Sequence, residues 1–291
     1  MLEAVEMRVA KVFVAGALGG LFMAQAAWAH TPYLRPTTFA PDRPFVTVEA
    51  ALAEIFFVPD FPIRSAGDYW VIGPDGARTR VDSVSTLKAF AAFDAALPAD
   101  GTYRITTGER PGRTSKWARI DGAWKMVRPA GAGRPGAPRH GEGEGGSRFV
   151  EETAIPAGAE TMTSQSTSRV ETYVTRGAPT RAALKPTGQG LELEPLTHPN
   201  EAFAGEAFKF RLLMDGKPLP GASFTVARGG DLYAESRFSA DGATDASGAG
   251  AVTLAEPGVY VLEADYPARK PGAPEPVARS AQYVLTFEVT R

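Results

Sequence analysis

The sequence predicts an all-β protein built as two successive β-sandwiches behind an export signal. Three observations lead there. Its 31 glycines and 24 prolines are spread along the chain, which suits many turns rather than long helices. Asp-Gly pairs stand at 75–76, 100–101, 121–122, 215–216 and 241–242, several of them between alternating apolar runs. A Gly-x-Tyr corner occurs twice, at Gly101-Thr102-Tyr103 and at Gly258-Val259-Tyr260.

Residues 1–29 read as a signal peptide. Arg8 and Lys11 supply a positive start, residues 12–29 carry no charge, and Ala27-Trp28-Ala29 gives the small-x-small pattern that signal peptidase cuts after. Gly16, Gly19, Gly20 and Gln25 interrupt the apolar stretch, and no second hydrophobic span follows. That favours a cleaved signal over an anchor, with no transmembrane segment in the mature chain. The expected location is the periplasm. The chain has no cysteine, so neither lipidation nor a disulfide holds it, and the mature protein relies on a hydrophobic core.

The first sandwich is expected over 30–187. Phe45-Val46-Thr47-Val48-Glu49-Ala50 alternates after a Pro-Asp-Arg-Pro turn, and Tyr69-Trp70-Val71-Ile72 runs into Gly73-Pro74-Asp75-Gly76. Residues 85–96 fit helix or strand, because Leu87, Phe90, Phe93 and Leu97 step by three or four while short apolar runs cannot be assigned by period alone. The runs 116–120 and 123–127 flank Asp121-Gly122 as a β-hairpin. Residues 130–147 are glycine, proline, arginine and glutamate with almost nothing apolar, and are expected to form a disordered insertion. Alternating segments near 148–151 and 169–174 complete this unit, and 185–190 reads as a linker.

The second sandwich is expected over 188–291. Each Gly-x-Tyr follows a strand ending in leucine (Leu97, Leu254) and a Pro/Gly turn. In immunoglobulin-like sandwiches such a tyrosine folds back to hydrogen-bond the preceding corner, so Tyr103 and Tyr260 are expected to do so in the two units.

The second unit also carries Leu191-Glu192-Leu193-Glu194-Pro195-Leu196-Thr197-His198-Pro199, then Phe208–Leu213, Asp215-Gly216-Lys217-Pro218-Leu219-Pro220-Gly221-Ala222, Thr244-Asp245-Ala246-Ser247-Gly248 and Pro257-Gly258-Val259-Tyr260. In these motifs, and in a signal that ends just before a histidine, the chain resembles DUF4198, a family of exported proteins grouped with periplasmic components of cobalt and nickel uptake. The resemblance spans His30 to Arg291 and is most specific over Leu191–Tyr266. It implies an exported β-sandwich and a metal-related accessory role in transport. The same turn elements occur in transthyretin-like sandwiches. Physically they are turn chemistry: Gly216 and Gly248 permit positive φ, and Asp245 can cap its own turn.

The formal net charge of −2 leaves no concentrated basic face for nucleic acid. Catalysis has little support, since there is no cysteine, no G-x-S-x-G elbow and no phosphate-cradling loop. The chain therefore reads as a binding protein, not an enzyme. Three histidines remain as metal ligands. Cleavage after Ala29 would give His30 a free amine beside its imidazole, and His198, held by Pro199, is the expected second ligand. His140, among glycines and glutamates, is a weaker one. The aromatic residues Phe56, Phe57, Phe61, Trp70, Trp117 and Trp124 are expected in the core, or, if exposed, as a binding face.

These readings predict a non-catalytic periplasmic binding or accessory protein of an uptake system. It would hold one transition-metal ion (Ni, Co or Cu) and hand it to a membrane transport component. The alternative is an interaction sandwich that docks on an outer-membrane receptor or glycan and holds no metal.

Overall fold

The computed structural model describes residues 30–63, 69–130, 148–230, 238–268 and 275–291. The expected signal segment at 1–29 and nearly all of the expected insertion lie outside them. Among the described residues the chain is strand and turn, with short 3-10 turns at Glu152–Ala154 and Ala182–Leu184. None forms a helix long and apolar enough to cross a membrane.

The N-terminal half contributes β1 (Thr31–Pro36), β2 (Phe45–Ala53), β3 (Phe61–Pro62), β4 (Trp70–Ile72), β5 (Arg78–Arg80), β6 (Ser85–Thr86), β7 (Ala91–Ala96) and β8 (Gly101–Thr106). An arm follows, made of β9 (Arg110–Ile120), β10 (Ala123–Arg128), β11 (Phe149–Glu151) and the start of β12 (Thr161–Arg176). The C-terminal half adds β13 (Leu191–Pro195), β14 (Ala207–Met214), β15 (Lys217–Pro218), β16 (Ser223–Arg228), β17 (Ser239–Ala243), β18 (Ala249–Thr253), β19 (Gly258–Tyr266) and β20 (Arg279–Val289).

These strands form three sheets. One runs β1-β2-β7-β6 with β3 added on β2, and another runs β13-β14-β15 with β18 on β14. The largest runs β11-β10-β9-β12-β20-β19-β16-β17, with β8 on β12 and β4 and β5 beyond it. Strand alternation puts a separate core on each face of this large sheet. Val170 and Val174 of β12, Val261 of β19 and Val284 of β20 enter a core with Leu34, Val48, Phe93 and Ile105. Their sequence neighbours Tyr173, Leu262, Tyr283 and Leu285 enter the other core, with Leu193, Phe208, Phe210 and Leu212. Each such fully buried aliphatic or phenyl side chain contributes about 1.5–3 kcal/mol.

The described residues thus form three sheets enclosing two apolar layers, and the middle sheet is common to both. β12 makes it so. One edge pairs antiparallel with β9 and β8, and the other pairs in parallel with β20.

Residues 85–96 resolve as two strands, β6 and β7, joined by a turn at 87–90. Ala91, Phe93 and Ala95 alternate into the core while Leu87 is left 53% exposed. Asp121 and Gly122 adopt φ of 53° and 79°, the left-handed pair of a type I′ hairpin between β9 and β10. Both tyrosine corners are formed. The Tyr103 hydroxyl donates to the Ala99 carbonyl at 2.7 Å and accepts the Ala99 amide at 2.8 Å. The Tyr260 hydroxyl donates to the Glu256 carbonyl at 2.8 Å.

Candidate functional site

His30 stands exposed just before β1. Its Nε2 lies 3.5 Å from Oδ2 of Asp60, and its ring packs against Phe61 with centroids 5.1 Å apart. Asp60 is fixed from two sides. Its amide donates to the Leu52 carbonyl at 3.0 Å, and its carboxylate accepts the Glu54 amide at 2.9 Å. The pairing through Nε2 leaves Nδ1 and the backbone nitrogen of His30 uncommitted by that contact.

His198 has a different setting. It is 2% exposed, with Nε2 3.0 Å from both Thr102 Oγ1 and the Thr180 carbonyl, and Nδ1 accepts the Asn200 amide at 3.2 Å. Because Nδ1 accepts, the neutral ring carries its proton on Nε2 and donates there. Asn200 in turn bonds Thr175 and the carbonyls of Phe39 and Tyr173. Burial pushes the His198 imidazole below its ordinary pKa, against smaller opposing effects. The ring fastens the loop after β13 onto β8 and onto the segment that follows β12.

The two histidines are not brought together. His30 precedes β1, whereas the network of His198 reaches Phe39, beyond the other end of that strand. A six-residue strand spans about 20 Å. His140 lies outside the described residues. Among those described, no group of three or more His, Cys, Asp or Glu gathers as a ready metal cluster. Phe56 is buried and Phe57 packs edge-on to Tyr33, while Phe61 is 50% exposed and Trp70, Trp117 and Trp124 are half-buried.

Sequence reading missed a concavity lined by arginines. A cavity of about 740 Å³ opens between β4, β8, the start of β9 and residues 187–189. Four of its lining side chains are arginines: Arg78, Arg104, Arg110 and Arg169. Arg104 and Arg169 form a buried floor, at 4% and 5% exposure. Arg78 lies at the exposed rim, its guanidinium 3.8 Å from the Trp70 ring centroid, and Arg110 lies 4.9 Å from that of Tyr69.

Alternation explains this floor. In β8, Tyr103 and Ile105 point into the first core, so Arg104 and Thr106 point the other way; in β12, Val170 and Val174 do the same and turn Arg169 and Glu171 outward. That outward face is covered by β13 and by residues 185–190. The expected linker is a fastened strap. Glu192 accepts Thr187 through both N (2.8 Å) and Oγ1 (2.7 Å), and the amides of Gly188 (2.7 Å) and Gln189 (3.2 Å). Arg169 Nη2 donates to the Gln189 carbonyl at 2.7 Å.

Glu171 and Glu192 balance the two buried guanidiniums, but at long range. Arg104 is 3.9 Å and Arg169 3.6 Å from Glu171, and Arg169 is 3.5 Å from Glu192. Glu171 is instead satisfied by hydroxyls, accepting Thr106 and Tyr283 at 2.9 Å each. Burial first, then the Glu171 charge, push the Tyr283 phenol far above its ordinary pKa and keep it a donor. The Nε atoms of Arg104 and Arg169 have no hydrogen-bond partner.

The profile of a family described as a domain of unknown function, DUF4198, matches residues 27–268. The chain belongs to the DUF4198 family. Among curated proteins, none matches its sequence. Of solved structures, this DUF4198 chain is similar to the D0-D1 domain of Intimin at 12% identity and a TM-score of 0.21, over 87% of this chain and 96% of that one. It is also similar to a tetra-tandem repeat in the extending region of a large adhesion protein, at 9% identity and a TM-score of 0.21, over 90% and 74% of the two chains. A third, trypsin-activated alpha-2-macroglobulin from Escherichia coli, shares 14% identity with a TM-score of 0.22, over 89% of this chain and 16% of that one. At these scores the likenesses carry no function across.

Proposed function

We propose that this DUF4198 protein is an exported, non-catalytic binding component of an uptake system, and that its processed N-terminus takes one transition-metal ion. The observation that supports this is the pairing of His30 Nε2 with Asp60 Oδ2 at 3.5 Å. Cleavage before His30 creates an α-amine beside the imidazole. That amine and Nδ1 can close a chelate ring around Ni, Co or Cu, while the carboxylate at Nε2 orients the ring and strengthens Nδ1 as a donor. His198 does not fit the same ion, because its ring is buried and both its nitrogens are engaged. Two nitrogen ligands with solvent completing the shell make a site that a transport partner can strip. This suits transfer better than storage. Against catalysis, the Thr102–His198 pair is sealed at 0% and 2% exposure, out of reach of a substrate.

Calorimetric titration with Ni²⁺ and Cu²⁺ tests the reading on three forms. Protein beginning at His30 should bind one ion, one extra residue before His30 should remove most of the affinity, and Asp60→Ala should weaken it. Equal affinity with and without the extra residue would sink the metal reading.

A second reading has its own support. The register sets Trp117 against Met126 and Met162, and Met126 against Phe149, with Trp124 on the same face of the arm. All five are only half-buried. Such a face suits docking on an outer-membrane receptor or glycan. On that reading Trp124→Ala abolishes attachment to outer-membrane preparations and leaves metal titration unchanged.

A further inference from the structure

From the arginine-lined cleft we infer that this protein binds a small organic oxyanion, one carrying carboxylate or phosphate, in a site separate from the N-terminal corner. The inference does not rest on the metal reading.

The floor is a receptor built ahead of its ligand. Taking a guanidinium out of water costs several kcal/mol unless hydrogen bonds replace those lost. Arg104 and Arg169 are nine-tenths buried and more, yet each keeps an Nε without a hydrogen-bond partner, and their ion pairs with Glu171 and Glu192 stretch to 3.5–3.9 Å. The two carboxylates do not make good the deficit. Glu171 is occupied by the Thr106 and Tyr283 hydroxyls, and Glu192 by the strap at Thr187–Gln189. The guanidiniums therefore have charge balance without hydrogen-bond saturation. The unpartnered Nε atoms are themselves closed off, so a ligand would meet the parts of Arg104 and Arg169 that line the cleft, where planar guanidinium forks match the oxygen pairs of carboxylate and phosphate.

Size and rim define the ligand further. About 740 Å³ exceeds what a bare inorganic ion needs and falls in the range of small-molecule sites. The walls include Trp70, Ile72 and Pro111, which offer apolar contact to a carbon skeleton. Arg78 adds positive charge at the mouth, and Glu109, the lining acid, is engaged by Arg279 at 3.2 Å. Glu171 and Glu192 offset Arg104 and Arg169, which leaves Arg78 at the exposed rim to draw anions toward the mouth.

Metal-stripped full-length mature protein is titrated calorimetrically with succinate, glucose 6-phosphate and neutral glucose, at low and high salt. Glucose should give no heat. Binding of succinate alone assigns carboxylate, of glucose 6-phosphate alone assigns phosphate, and of both assigns the shared oxyanion chemistry. Each supports the site if Arg104→Lys, which keeps the charge and loses the fork, weakens binding about tenfold. Arg78→Ala, at the exposed rim, should fold normally and weaken binding severalfold. It decides the matter if Arg104→Lys does not fold. No heat from either anion, or affinity unchanged in both variants, overturns the inference.

Discussion

Arg169 and Glu192 face each other across the joint between the two halves of the chain, Nη1 to Oε1 3.5 Å, with side chains 5% and 2% exposed. Arg169 belongs to β12, the spine of the middle sheet, and Glu192 to β13 of the outer one. The same carboxylate holds the strap at 187–189, so one side chain both opposes a buried charge and closes the covering segment.

Glu192→Ala is therefore expected to be severe. It leaves Arg169 less compensated in the interior and strips the Thr187, Gly188 and Gln189 amides of their acceptor, a loss of about 3–5 kcal/mol. Urea unfolding should show it as a large fall in midpoint. Glu152→Gln, which breaks an exposed pair with Lys116, should leave the midpoint unmoved.

The two tyrosine corners can be tested one at a time. Tyr103→Phe removes a donor to the Ala99 carbonyl and an acceptor for its amide; Tyr260→Phe removes a donor to the Glu256 carbonyl. Each should cost about 1 kcal/mol, with Tyr103→Phe at or above that value, as read by thermal or urea unfolding. A loss near zero at both sites would mean that water replaces the hydroxyls freely.

Stability should fall on the acid side because of His198. Its folded pKa lies below its ordinary 6.5, so the unfolded chain takes up the proton first as pH falls. The contribution is fully present above about pH 6.5 and is lost as pH drops through the depressed folded value. Thermal midpoints between about pH 8 and 5 should decline below 6.5. His198→Asn should start lower and show a flatter decline over that window.

Two glycines with like backbones should answer differently to alanine. Gly76 and Gly248 have φ of 80° and 76°, but a Cβ at Gly76 meets nothing within 4 Å, whereas one at Gly248 would lie 2.8 Å from both Leu212 O and Leu219 N. Gly76→Ala should cost only the left-handed strain of about 1 kcal/mol. Gly248→Ala adds a clash with backbone and should cost clearly more, and equal unfolding midpoints for the two would refute the packing argument.

The turns and corners were legible because their causes are local. Asp121-Gly122 requires two left-handed residues, and Gly-x-Tyr places a hydroxyl four residues from its acceptor. The arginine cleft was not legible for the opposite reason. In Thr102-Tyr103-Arg104-Ile105-Thr106 and in Arg169-Val170-Glu171 the polar half of the alternation looks like a solvent-facing side. Only the covering by β13 and the strap turns it into an interior, and that covering joins residues far apart in sequence. Residues 85–96 sat between these cases: their spacing allowed either structure, and pairing of Ala91–Ala96 with β2 decided for strand there.

The parallel seam between β12 and β20 sets an order of events for the living chain. Val284, in the last strand, fills the first core beside Leu34 and Val48, and Tyr283 and Leu285 fill the second. Both layers are incomplete without residues 279–289. On the proposed export reading, a chain without residues 279–289 in place lacks part of both cores and stays threadable through a narrow channel.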